Sequence, residues 1–108
     1  MNIGIVGLGY VGLPLAVAFA EAGHQVIGLD TDPAKIESLN LGRSYIEDVT
    51  DSSLAAVNAP IVATHDYAEL TGCDAIIVCV PTPLTGSREP DLSYLEAAAD
   101  HIATILQP

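Results

Sequence analysis

Six residues near the start of the chain, Gly7-Leu8-Gly9-Tyr10-Val11-Gly12, have the makings of a phosphate cradle. The pattern G-x-G-x-x-G puts a glycine wherever the backbone must turn sharply, approach a ligand or press against a strand. Gly7 permits a tight strand-to-helix turn. Gly9 has no side chain, so a pyrophosphate can come close to the backbone. Gly12 lets a helix lie close to the strand before it. The N–H groups of Tyr10, Val11 and their neighbours, with the positive end of the helix dipole, would then hold a dianionic phosphate bridge. The string alone is a weak signal, and the plain alternative is a glycine-rich turn without a ligand. Its setting strengthens it: an apolar strand run precedes it, an apolar helical run follows, and both belong to a β-α-β unit.

A carboxylate at the tip of the next strand supplies the other half of the pattern. Asp30 lies eighteen positions after Gly12. That is near the roughly 20 expected for an acid that accepts hydrogen bonds from an adenosine ribose. Its negative charge repels a 2′-phosphate, and Thr31-Asp32-Pro33 offers no arginine to receive one. The choice falls on NAD rather than NADP. Asp32 serves as a helix cap. Lys35 is either a solvated first-turn lysine or a donor to a ribose hydroxyl. The loop Val80-Pro81-Thr82-Pro83 follows the fourth strand at its carboxyl end, where open α/β sheets bind their ligands. Its prolines stiffen it and Thr82 offers a hydroxyl; the plain alternative is a rigid surface loop.

No catalytic constellation accompanies this site. Cys79, between Val78 and Val80, reads as a core residue. Cys73 stands beside Asp74, whose charge opposes a thiolate. Their spacing is not that of a zinc site. His24, His65 and His101 are scattered without partners at ligand spacing, and solvated roles are expected for His24 and His101.

The elements that must position these residues alternate. Asn2–Val6 reads as a buried strand, 13–22 as a covered apolar helix ended by Gly23, and Gln25–Leu29 as a second strand. A helix begins after Thr31 or Asp32 with Pro33 in its first turn and runs to about Asn40. After a loop over 41–50, a short helix over 51–58 is capped by Asp51 or Ser52. Ile61–Thr64 is a third strand, Tyr67–Leu70 a helical turn, and 74–80 the strongest strand signal. A proline-rich loop over 81–90 leads to a last helix over about 92–106, capped by Asp91 or Ser93. Strand and helix in alternation imply a parallel sheet with right-handed crossovers.

Composition bounds the remaining possibilities. The chain has 108 residues, half of them apolar, with 14 acids against three basic residues and a net charge of −11. The length suits one domain, and the apolar fraction is too high for an acidic disordered tail. So acidic a chain is not expected to bind nucleic acid or an anionic membrane surface. No apolar run is long enough to span a bilayer, and the start lacks the basic segment of a signal peptide. Two cysteines are too few for a disulfide scaffold, so a reducing, cytoplasmic setting is expected. A complete dinucleotide-binding sheet has about six strands. Four are counted here, so a truncated chain is expected, with an open sheet edge that invites association.

Ile3 to Pro14, IGIVGLGYVGLP, resembles the opening of the UDP-glucose/GDP-mannose dehydrogenase family. The similarity continues through Asp30-Thr31-Asp32, Lys35-Ile36 and Leu39-Asn40-Leu41-Gly42 to Asp74–Pro83, DAIIVCVPTP. Ser44-Tyr45-Ile46-Glu47 and Arg88 to Tyr94 look most like the branch that oxidises UDP-N-acetylglucosamine at C6, ahead of UDP-glucose. The resemblance implies a Rossmann-like parallel sheet with flanking helices, residues 1–108 being the NAD-binding domain of a larger homo-oligomeric enzyme. That enzyme would oxidise the C6 alcohol of a UDP-sugar to the uronic acid with two NAD, while this portion alone would be inactive. The implied cofactor contacts are Gly7, Gly9, Tyr10, Val11, Gly12, Asp30, Lys35 and Thr82, with Glu47 and Arg88 toward the substrate. The implied catalytic cysteine, with its lysine and asparagine, has no counterpart here. The alternative is a stand-alone regulatory dinucleotide-binding module that uses the same turn and acid as a sensor.

Overall fold

The computed structural model describes residues 1–57, 61–80 and 91–105. Four short aliphatic runs form strands: β1 (Asn2–Val6), β2 (Gln25–Leu29), β3 (Ile61–Thr64) and β4 (Ala75–Val78). All pair in parallel, in the order β3-β2-β1-β4. Asn2 to Val6 stand opposite Gln25 to Leu29 on one side, and Ile3 to Val6 opposite Ala75 to Val78 on the other. The spatial order departs from the chain order at β1, so the carboxyl ends of β1 and β4 flank a topological switch point.

Helical elements lie on both faces of the sheet, as a parallel sheet requires, but the cover thins at its edges: β4 has no fully buried residue and Val62 of β3 is exposed. Alternation along β1 sends Ile3 and Ile5 to one layer and Val6 to the other. The first layer is closed by α1 (Gly12–Glu21) and α2 (Pro33–Asn40), with Leu13, Ala16, Val17, Ala20 and Leu39 buried. The second is closed by a 3-10 turn (Tyr67–Leu70) and α4 (Ser93–Ala103), through Leu70 and Ala98. Residues Asp51–Ala55 form the short α3. The expected all-round cover of α1 is not complete, because Ala18 is exposed opposite the buried stripe.

Local chemistry sets the boundaries. Asp32 caps α2 by accepting from Ala34 N–H at 2.9 Å, with Pro33 in the first turn. The cap of α3 is Thr50, which accepts from Ser53 N–H, while Asp51 instead accepts from Ser44 N–H at 2.7 Å. Leu92 occupies the cap position of α4 without a side-chain bond. Asp91 accepts from Ser93 N–H at 2.9 Å, and hydrogen bonds from Ser93 hold its carboxyl below the usual range. β4 is shorter than expected because its partner ends first. Beyond Val6 the chain turns at Gly7, so only Cys79 N–H still reaches β1, at the Val6 carbonyl (2.6 Å).

Among the described residues β3 lies at one edge of the sheet and β4 at the other. The β3 edge is closed by one side chain at the end of α2. Asn40 Nδ2 donates to the Ala63 carbonyl and its Oδ1 accepts from Ala63 N–H, both at 3.2 Å. The amide thus takes the place of a strand partner and ties α2 to the sheet. No helix among the described residues is long and apolar enough to cross a membrane.

Replacing Asn40 with alanine removes two part-buried hydrogen bonds. The expected loss is about 1–3 kcal/mol, read as a lower urea midpoint at unchanged slope.

Candidate dinucleotide site

A cleft of about 710 Å³ opens over the carboxyl ends of β1 and β2. Gly7 to Val11, Asp30 to Asp32 and Lys35 line one side, and Tyr67, Tyr94 and His101 the other. The sheet topology brings together segments that are far apart in sequence.

The glycine turn works by close contact. Gly7 has φ +98°, a left-handed conformation that a side chain would strain, and its N–H donates to the Leu29 carbonyl at 2.8 Å. A Cβ at Gly7 would stand 2.5 Å from the Cys79 carbonyl oxygen, and one at Gly12 would overlap the Gly7 carbonyl oxygen. A Cβ at Gly9 would meet nothing within 4 Å, so the space above this residue is open. The start of α1 has no side-chain cap and no acid in its first turn. By contrast α2, α3 and the 3-10 turn are capped by Asp32, Thr50 and Asp66. Among the described residues the N–H groups of Gly9, Tyr10 and Val11 donate to no protein oxygen. Among the described residues the donors that an anion at this helix start would use are left unsatisfied.

Asp30 links the turn to the tip of β2. Its Oδ2 accepts from Leu8 N–H at 3.0 Å and its Oδ1 from Asp32 N–H at 2.9 Å. Each carboxylate oxygen keeps a further lone pair for a hydroxyl donor. Lys35 Nζ stands 5.7 Å from the centre of the Tyr45 ring and also lines the cleft. Open space over Gly9, free N–H donors and a carboxylate with spare acceptors fit the demands of a dinucleotide.

Of the residues singled out from sequence, Gly7, Gly9, Tyr10, Val11, Asp30 and Lys35 line the cleft, and Gly12 packs directly behind the turn. Thr82 and its loop, like Arg88, lie outside the described residues. Glu47 is exposed and does not line the cleft. Burial pushes the Cys73 and Cys79 thiols up, with the Asp74 charge adding to Cys73, so neither favours a thiolate. His24 is half-buried rather than free, meeting the Met1 amine at 3.2 Å and the Phe19 ring edge-on. Among the described residues no three His, Cys, Asp or Glu side chains are grouped to hold a metal.

The far wall was not foreseen. Tyr67 and His101 stack with ring centres 4.5 Å apart and planes 8° apart, and Tyr94 also lines the cleft. His101 is exposed, as expected, and stacks on Tyr67 as well. Nothing local joins Tyr67 to His101, because they meet only when α4 packs beside the 3-10 turn. Tyr45 was missed as a structural residue for the same reason: its hydroxyl donates to the Leu8 carbonyl across a long sequence separation.

A parallel sheet centred on β1, a glycine turn opening α1 and an acid at the tip of β2 define a Rossmann-like dinucleotide-binding domain. Residues 1–108 match the NAD binding domain of the UDP-glucose/GDP-mannose dehydrogenase family, and the chain belongs to that family, with NAD as its dinucleotide. It is 39% identical over 109 residues to UDP-N-acetyl-D-mannosamine dehydrogenase of Pyrococcus horikoshii, covering 98% of this chain and 26% of that protein. It is 37% identical over 106 residues to NDP-N-acetyl-D-galactosaminuronic acid dehydrogenase of Ralstonia nicotianae, covering 98% of this chain and 25% of that protein. The structure superposes on GDP-mannose dehydrogenase of Pseudomonas aeruginosa, solved as a ternary complex, with a TM-score of 0.86 and 33% identity. That match covers 94% of this chain and 24% of that one. The chain thus spans about a quarter of the length of the relatives it matches.

Two glycine variants separate folding from binding. Gly12→Ala forces a methyl group into the Gly7 carbonyl and is expected to cost at least about 3 kcal/mol in thermal denaturation. Gly9→Ala meets open space, so its melting temperature stays near wild type while its NAD affinity, measured by calorimetry, falls.

Proposed function

We propose that this chain is the cofactor-holding part of a nucleotide-sugar 6-dehydrogenase. The observation that carries the reading is the uncapped start of α1, where the N–H groups of Gly9, Tyr10 and Val11 stand free on a cleft that Asp30 bounds. In this reading those N–H groups hold the pyrophosphate, with Gly7 and Gly12 shaping the turn. Asp30 accepts from the adenosine ribose, assisted by Lys35, and Thr82 adds a hydroxyl. The Tyr67, Tyr94 and His101 rings give the adenine an aromatic wall. When bound, NAD supplies a hydride acceptor. Oxidation of a primary alcohol to a carboxylate removes two hydrides, so two NAD are consumed per sugar.

The substrate is read as a UDP-sugar oxidised at C6, within the UDP-N-acetylhexosamines. The segments around Tyr45 and Tyr94 support the glucosamine epimer, and the names of relatives such as that of P. horikoshii support the mannosamine epimer. UDP-glucose stands behind both. Sugar-oxidising groups are assigned to residues outside this chain, in a cytoplasmic homo-oligomeric enzyme of which it forms the amino-terminal part. The −11 charge and the scarcity of basic residues support this division, because a UDP-sugar calls for cationic groups that these residues do not supply.

Calorimetric titration with NAD, NADP and ADP-ribose tests the cofactor site. The wild-type protein binds NAD in preference to NADP. Asp30→Ala weakens NAD by roughly tenfold to a hundredfold, the range for a hydrogen bond to a charged group, and narrows the NAD-to-NADP ratio. Unchanged affinity and ratio would remove Asp30 from the ribose role. In the full-length enzyme, NADH formation with UDP-N-acetylmannosamine, UDP-N-acetylglucosamine and UDP-glucose ranks the substrates at two NADH per sugar.

A further inference from the structure

Leu8 is the residue of the glycine turn whose side chain is fully buried. It lies over Gly28, where a Cβ would come within 2.7 Å of the Leu8 Cδ2. Its N–H donates to Asp30 Oδ2 at 3.0 Å. Its carbonyl accepts from the Tyr45 hydroxyl. Both faces of the residue's backbone are thus occupied, one by the expected ribose acid and the other by a tyrosine from the 41–50 segment.

The Leu8–Gly9 peptide is planar and trans, so its N–H points opposite to its carbonyl. Fixing the Leu8 carbonyl therefore fixes the direction of the Gly9 N–H. That group is one of the donors left free beside the cleft. We propose that Tyr45 is a positioning residue for the cofactor: by holding the Leu8 carbonyl, its hydroxyl aims the Gly9 N–H at the pyrophosphate. The inference rests on the proposed NAD site.

Three observations support a role through Leu8. Tyr45 is half-buried and does not line the cleft, so it has no direct path to the ligand. Its own segment is ordered from within: Ser44 N–H donates to Asp51 Oδ1 at 2.7 Å, and Ser44 Oγ donates to the Ile46 carbonyl at 3.0 Å. Burial, and then the charges of Asp30 and Asp32, push the Tyr45 hydroxyl well above its ordinary value of 10.0. It therefore remains a protonated donor at all physiological pH.

Tyr45→Phe keeps the ring and deletes only the donor. The first reading is ligand-free. In the variant the Gly9 amide resonance shifts and broadens, while that of Val26 in the core of β2 stays in place. The second reading is affinity. NAD and ADP-ribose, which carry the pyrophosphate, bind roughly five- to tenfold more weakly, the effect of one hydrogen bond, while adenosine is unchanged within about twofold. An unmoved Gly9 amide, unchanged NAD affinity, or an equal loss for adenosine and NAD overturns the proposal. Should the wild type bind no NAD, the functional reading fails on its own, and the Gly9 amide still decides the positioning role. Should the variant fail to fold, exchange of the Tyr45 hydroxyl proton in the wild type decides: protection from water supports the contact, and free exchange overturns it.

Discussion

The backbone of Gly12 lies so close to the Gly7 carbonyl that no Cβ fits between them. This contact presses the start of α1 onto the end of β1, and most of the site depends on it. A wider turn would move the free N–H groups of Gly9, Tyr10 and Val11 away from the tip of β2. The turn is also closed from the far side, where Cys79 bonds to Val6 and its carbonyl stands against Gly7. Three strands therefore meet at one residue without a side chain. The parallel register of β1 between β2 and β4 keeps those ends level.

The electrostatics follow from the same geometry. A chain of net charge −11 is a poor attractor for an anionic ligand at long range. At short range the relevant charges are partial ones on backbone N–H groups at an uncapped helix start, which global charge does not cancel. The carboxylate of Asp30 sits where a neutral ribose is expected, and its existing bonds to Leu8 and Asp32 fix its direction. In the proposed reading the same acid would serve selectivity as well as the architecture of the turn.

Much of this was legible in the sequence because it is local. Strand boundaries Asn2–Val6, Gln25–Leu29 and Ile61–Thr64 follow from short apolar runs that stop at turn residues. The glycine spacing and Asp30 follow from a motif whose parts lie within one β-α-β unit. The departures were also local, but between competing groups. Thr50 rather than Asp51 caps α3 because Asp51 is engaged by Ser44 N–H. β4 ends at Val78 because the strand beside it runs out at Val6.

By itself the sequence determined the parallel α/β class, the glycine turn and the acid that follows it. Each depends on residue type at short, regular spacing, and short-range sterics and hydrogen bonding suffice to read them. Tertiary structure alone decided the aromatic wall of Tyr67 and His101, the Asn40 closure of the β3 edge and the grip of Tyr45 on Leu8. These join residues from separate elements, and no periodicity records which side chains meet. They exist only once burial of the two apolar layers has brought α2, the 41–50 segment and α4 against the sheet.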